Sequence, residues 1–144
     1  MDRAVMGLFS QCCSVFLFKK EEFMKDLVII TNNPKIKEKF EELKIDFVDN
    51  LSDVYSKSRD LVHQDWKLMS HPLAGSVKPA QNPYRSIILA PTKKLDFYSL
   101  NTIENAIQKL NQFKKDHKKR EYSQKIKEDY QVIDLTLINS ALKN

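Results

Sequence analysis

Cysteine is scarce in this chain of 144 residues, and it is confined to the beginning of the chain. The two cysteines, Cys12 and Cys13, are adjacent. Residues 24–144 therefore contain no thiol, which excludes a disulfide, a zinc–thiolate site and a cysteine nucleophile from that part of the chain. We expect no metal site, and the sequence does not identify a cofactor.

Long apolar runs are missing and glycine is scarce. No apolar run reaches the roughly 20 residues that a membrane-spanning helix needs. The chain has two glycines, and Gly75 is the only one after Met24. A composition of 42% hydrophobic and 30% charged residues is typical of a globular protein rather than a disordered one. We expect a cytoplasmic protein with one domain and no membrane contact.

The first 23 residues differ in pattern from the rest of the chain. The apolar residues from Ala4 to Phe18 follow neither a helical nor a strand period. Only Arg3 precedes them as a basic residue, and no signal-peptide cleavage site follows them. Residues 20–24 can be encoded by AAG GAG GAA TTT ATG, a purine-rich bacterial ribosome-binding sequence before a start codon. We predict that residues 1–23 are upstream DNA read in frame and that 24–144 form the domain. An interfacial anchor is the alternative.

Short β-branched runs alternate with amphipathic patterns in the first two thirds of the domain. The predicted strands cover 26–31, 45–48, 66–69 and 86–90, and the predicted helices cover 34–43 and 51–63. Asn33 is placed as the N-cap of the first helix and Pro34 as its first residue. This alternation predicts βαβ crossovers. We expect an α/β fold, a small three-layer domain with about four mostly parallel strands, flanking helices and a helical C-terminus. The direction of the fourth strand stays open.

The last third of the chain carries two apolar stripes with helical spacing. The first stripe is Leu100, Ile103, Ile107 and Leu110, and the second is Ile126, Tyr130, Ile133 and Leu137. Each stripe predicts a helix that packs against the rest of the domain through that face.

A basic segment covers residues 109–125. Seven basic residues stand there against two acidic ones, a balance of +5 that equals the net charge of the whole chain. Such a patch can bind phosphate groups, so a nucleic-acid-binding regulator is one hypothesis. No recognition-helix pattern accompanies the segment, and a solvated helix end explains the same residues. Nucleic-acid binding is therefore the least favoured hypothesis.

The loop whose backbone conformation is most restricted by its sequence lies between the third and fourth predicted strands, at residues 70–85. It contains three of the five prolines together with Gly75. Proline fixes φ and glycine permits a positive φ, so we predict one fixed backbone shape with a positive φ at Gly75. Loops of this length in a compact domain are functional or disordered, and the prolines favour function.

Polar residues with donor groups follow the first and third predicted strands. The candidate ligand-binding residues are Thr31, Asn32, Asn33, His71, Ser76, Lys78 and Arg85. Ligands of open α/β sheets bind outside the carboxyl ends of the strands, and a helix N-terminus there favours an anion. Arg85 joins this group only if the fourth strand is antiparallel. Helix capping also explains Asn33, and a structural role also explains His71. We predict that His71 lies beside Asn32 or Asn33 and that Lys78 covers the same crevice, forming a small-anion site.

Several segments resemble one known family. The segments LVIITNNP, RDLVHQDWKLMSHPLAGSVKP, NPYRSIIL and DYQVIDLTLI are similar to the GrdX family, and HPL-x-GSVKP at residues 71–79 is the most specific. The resemblance covers residues 24–142. Members of this family are small proteins encoded with glycine, sarcosine or betaine reductases in anaerobic Gram-positive bacteria. The resemblance implies the same operon context for this protein. It implies no established activity and no catalytic residues.

Three hypotheses follow. The first is an accessory protein that supports amino-acid reductases, with reductase components as partners and a cleft for a small anionic ligand. The second is an enzyme that acts on a small phosphorylated or carboxylated metabolite, with His71 as general acid or base and with Lys78 and Arg85 holding the anion. The third is the nucleic-acid-binding regulator. A second catalytic group beside His71 would favour the enzyme, and none is evident in the sequence.

Overall fold

Four strands form one mixed sheet in the described part of the chain. A computed structural model describes residues 26–73, 81–116 and 121–143. The strands are β1 (Val28–Thr31), β2 (Lys44–Phe47), β3 (Trp66–Leu68) and β4 (Ser86–Pro91), in the spatial order β2-β1-β4-β3. The predictions for residues 1–23, Gly75, Ser76 and Lys78 concern positions outside the described residues.

The prediction of a mostly parallel sheet is wrong. β1 and β2 are parallel, but β4 is antiparallel to both of its neighbours, β1 and β3. The described residues between β3 and β4, 69–73 and 81–85, contain no helix. A parallel neighbour needs a crossover that is usually helical, whereas a chain that returns beside its own strand forms an antiparallel pair.

Helices cover both faces of the sheet, which confirms the three-layer arrangement with flanking helices. The helices are α1 (Pro34–Lys39), α2 (Leu51–His63), α3 (Phe97–Asp116) and α4 (Gln124–Lys143). One core cluster joins α2 and α3 to one face of the sheet, and a second cluster joins α1 and α4 to the other. The two core clusters divide the central strands by alternation, since Ile30 and Ile87 lie in the first and Ile29 and Ile88 in the second.

The start of α1 was predicted correctly and its end was not. Asn33 is the N-cap, its side chain accepts a hydrogen bond from Lys35 N at 3.0 Å, and Pro34 is the first helical residue. The helix ends at Lys39 rather than at Leu43. Because β2 begins at Lys44, the chain must leave the helix early, and Leu43 packs against the second core cluster from a turn.

The predicted apolar stripe is confirmed for one C-terminal helix and wrong for the other. In α3 the predicted stripe faces the first core cluster, where Ile103 and Leu110 are buried. In α4 the predicted stripe is wrong, because Ile126 and Ile133 are among the exposed apolar residues. The buried residues of α4 are Gln131, Asp134 and Ile138. This helix therefore packs through a face that carries two polar side chains.

None of the helices in the described ranges combines the length and the apolar character needed to cross a bilayer.

Candidate functional site

Buried polar side chains gather at the edge of the sheet where β1 ends and β4 begins. Thr31 and Ser86 are partners in the antiparallel register of these strands. Asn33 follows β1, and Asp134 reaches the same place from α4. All four residues are at most 4% exposed. Buried polar groups are stable only when they are hydrogen-bonded, so the partners of each group decide what this edge can do.

The hydroxyl groups at this edge form a directed hydrogen-bond chain. Ser86 Oγ donates to Asp134 Oδ2 at 2.6 Å, and it lies 2.7 Å from Thr31 Oγ1. Because the Ser86 proton is directed to Asp134, Thr31 donates to Ser86. Thr31 Oγ1 in turn accepts from Asn33 N at 2.9 Å. The chain therefore runs from the backbone before α1 to the carboxylate of Asp134.

Asp134 binds α4 to β4 and to the N-cap of α1. Its Oδ1 accepts from Ser86 N at 3.1 Å, and its Oδ2 also accepts from Asn33 Nδ2 at 3.1 Å. The same Asn33 amide donates to the Gln131 carbonyl at 2.9 Å. Burial raises the pKa of Asp134, while the hydrogen bonds from Ser86 and Asn33 and the positive charge of Arg85 act in the opposite direction.

Asn32 holds the residues that precede β4. Its Nδ2 donates to the Pro83 carbonyl at 2.8 Å, and its Oδ1 accepts from Arg85 N at 2.9 Å. Asn82 adds a contact to α4, because its Nδ2 donates to the Tyr130 carbonyl at 3.3 Å. The chain that leaves the 70–85 loop is therefore fixed to both β1 and α4.

Arg85 lies at the same edge as Thr31, Asn32 and Asn33, because β4 is antiparallel to β1. Its side chain is buried at 5% exposure, and it interacts with the hydroxyl of Tyr55 and with the charge of Asp134. Burial raises the pKa of Tyr55, and the charge of Arg85 opposes this increase. The edge thus contains a buried cation. From the sequence alone, this position of Arg85 depended on the direction of the fourth strand.

Tyr55 also fixes the entrance of the loop. Its hydroxyl donates to the Pro72 carbonyl at 2.8 Å. At the other end of the loop, the Tyr122 hydroxyl donates to the Gln81 carbonyl at 2.9 Å. The described ends of the loop are therefore each hydrogen-bonded to a tyrosine hydroxyl.

His71 is exposed, and its Nδ1 accepts from Leu73 N at 3.1 Å. The side chains of Asn32 and Asn33 bond residues 83–85, Lys35 and α4 instead. The predicted approach of His71 to Asn32 or Asn33 stays a prediction, as does the position of Lys78. The structure brings together Thr31, Asn32, Asn33 and Arg85.

Tyr55, Gln131 and Asp134 were not among the site residues predicted from the sequence. Gln131, Asp134 and Ile138 are spaced by three and four residues, so they share one helix face. That spacing was a usable signal, but polar residues in an amphipathic helix normally mark the solvent side.

Other candidate sites have less support in the described ranges. No group of three or more His, Cys, Asp or Glu side chains there is arranged to hold a metal ion. Of the basic segment, Lys109, Lys114 and Lys115 belong to α3, and Lys114 contacts Ser52. Lys118, Lys119 and Arg120 lie outside the described residues.

A family model matches most of the chain. The model of the GrdX-like protein family matches residues 28–143. No curated protein and no solved structure matches the chain. Because the match covers most of the chain, including every strand and helix described above, the protein belongs to the GrdX-like family.

Proposed function

We propose that this member of the GrdX-like family is an accessory protein of glycine, sarcosine or betaine reductase systems, and that it holds a small anion beside the 70–85 loop. The family match supports the first part. Arg85 carries the second part, because a buried guanidinium lies at the edge from which the loop leaves and to which it returns.

The roles of the candidate residues differ in this proposal. Thr31 and Asn33 use their polar groups in the buried chain that ends at Asp134, so they build the site without touching the ligand. Asn32 fixes the backbone of Arg85. The proposed ligand contacts are Arg85, His71, Ser76 and Lys78, which offer donors to a carboxylate or a phosphate.

A thermal-shift experiment on the full-length protein tests the site. Glycine, sarcosine, betaine, acetyl phosphate and nucleotides are added separately, and a true ligand at about a hundred times its Kd adds roughly 2.7 kcal/mol of stability. Lys78→Ala should reduce this gain without lowering the stability of the ligand-free protein. Lys125→Ala, on the exposed side of α4, is the matched control. Unchanged stabilisation in Lys78→Ala, or none in the wild type, would remove the site.

The accessory role needs a separate measurement. We expect deletion of the gene to lower reductase activity in cell extracts with glycine, sarcosine or betaine as substrate, and the wild-type gene to restore it. Full activity of all three reductases after deletion would contradict the accessory role. That result would leave the ligand experiment unaffected.

A second candidate function is an enzyme for a small phosphorylated or carboxylated metabolite, with His71 as general acid or base. The hydrogen bond from Leu73 N favours it, because the bond to Nδ1 orients the imidazole while the side chain stays exposed and can be reached by a substrate. Stabilisation by acetyl phosphate alone, followed by its His71-dependent turnover, would favour the enzyme over the accessory protein.

A further inference from the structure

Two adjacent aromatic side chains are exposed at the start of α3. Phe97 is 71% exposed and Tyr98 is 76% exposed, the highest values among the large apolar residues in the described part of the chain. The residues of α3 that face the first core cluster begin at Leu100. A single exposed apolar residue needs no explanation, but two neighbouring rings that the core does not use form a patch.

The backbone that carries these rings is fixed on both sides. Asp96 accepts from Ser99 N at 3.3 Å, and Ser99 Oγ accepts from Leu68 N at 2.9 Å, which joins the start of α3 to β3. Before the rings, Thr92 N donates to the Asp65 carbonyl at 2.9 Å. A surface held in one shape loses little entropy on binding, so these rings are suited to act as anchors.

Exposed positive charges precede the rings in the chain. Lys93 and Lys94 are exposed directly before the helix, whereas the first turn of α3 contains no acidic residue. Asp96 also precedes the rings, and its carboxylate is bonded to Ser99. The exposed Asp65 contacts this segment through its backbone carbonyl. A complementary surface is therefore apolar at its centre and carries carboxylates at its border.

We propose that Lys93, Lys94, Phe97 and Tyr98 form a docking surface for a protein partner with an apolar pocket bordered by carboxylates. Aromatic anchors with a charged rim are the usual centre of protein interfaces. A membrane-binding helix instead needs a long apolar face, and α3 directs its apolar stripe into the core. This surface follows Pro91, at the opposite end of β4 from Arg85, so the proposal is independent of the anion site.

Fluorescence anisotropy of the full-length protein tests the proposal with two labelled peptides. One peptide has a leucine-rich centre flanked by glutamates, and the other has lysines in place of the glutamates. We expect the acidic peptide to bind at least about tenfold more tightly, and its binding to weaken with added salt. The double variant Phe97→Ser, Tyr98→Ser should lose at least tenfold in affinity. Lys93→Gln with Lys94→Gln should remove the preference for the acidic peptide.

The control is Ile126→Ser with Ile133→Ser, which changes two exposed apolar residues of α4 and should keep the wild-type affinity. Equal loss in this control, or no binding of the acidic peptide, would overturn the proposal. It would also be overturned by aromatic-dependent binding to phosphatidylglycerol vesicles, which would indicate a membrane. Sedimentation that reveals a dimer lost in the aromatic variant would indicate a second copy instead. Circular dichroism checks that every variant folds.

Discussion

At the scale of single residues, Asp134 is a central acceptor of the buried edge. It accepts hydrogen bonds from both Ser86 and Asn33, and it attracts Arg85. An isolated buried carboxylate is very unfavourable, and this one is compensated by donors from two different elements. Asp134 therefore acts as a connection between α4 and the sheet.

We predict that Asp134→Asn destabilises the protein by about 1–3 kcal/mol at neutral pH, because an amide offers one acceptor oxygen where the carboxylate offers two. Whichever way the amide is turned, its NH2 group faces a donor from Ser86 or Asn33. Urea unfolding measures the loss. Asp129→Asn on the exposed side of α4 is the matched control, and it should change the stability by about 0.5 kcal/mol or less.

The difference in the free energy of unfolding between the wild type and Asp134→Asn should depend on pH. Because burial raises the pKa of Asp134, the folded protein holds this proton to a higher pH than the unfolded chain does. The resulting stability is fully present below the ordinary value of 3.8, and it is lost as the pH rises through the folded pKa. The stability difference between the wild type and Asp134→Asn should therefore shrink from acid toward neutral pH. A difference that grows over this range would contradict the raised pKa.

At the scale of elements, α4 is held by an unusual combination of contacts. Its polar residues Gln131 and Asp134 meet the sheet edge, and Ile138 enters the second core cluster beyond them. The isoleucines at 126 and 133 remain exposed. Hydrogen bonds to Asn33 and Ser86 thus fix the rotation of the helix, against the apolar stripe that its sequence suggests.

The rotation of α4 can be tested with two isoleucines of the same helix. Ile138 is 2% exposed and Ile133 is 49% exposed. We predict that Ile138→Ala lowers the free energy of unfolding by about 2–5 kcal/mol, because it leaves a cavity in the second core cluster. Ile133→Ala should cost about 1 kcal/mol or less. Chemical denaturation compares the two, and a larger loss in Ile133→Ala would show that the predicted stripe faces the core after all.

At the scale of the whole molecule, local sequence patterns predicted the strands and helices but not the direction of β4 or the long-range hydrogen bonds. The strands, α2, α3 and the capping of α1 by Asn33 depend on neighbouring residues, which a sequence pattern records. The direction of β4 and the partners of Asp134 depend on distant ones, since Asn33 and Asp134 are 101 residues apart in the chain. The absence of a helical pattern between β3 and β4 was the one local sign of an antiparallel return.

The residues of the candidate site also differ in whether local sequence could identify them. Thr31, Asn32 and Asn33 were found because they follow a buried strand and precede a proline. Their pattern could not tell whether they face a ligand or the interior, because the donors of Asn33 find their acceptors on α4. Arg85 could be placed only once the direction of β4 was known.

The extent of the domain gives the last prediction. Residues 1–23 show no periodicity, and the family match begins at residue 28. We expect a protein of residues 24–144 to melt within about 2 °C of the full chain, since about 1 kcal/mol corresponds to roughly 4 °C at this size. A chain that begins at Val28 is the control. It removes Leu27, which is 3% exposed in the second core cluster, so it should be clearly less stable than the 24–144 protein. A loss of stability in the 24–144 protein as large as that in the control would mean that residues 1–23 contribute to the folded domain. Vesicle binding of the full chain would then test the alternative that these residues are an interfacial anchor.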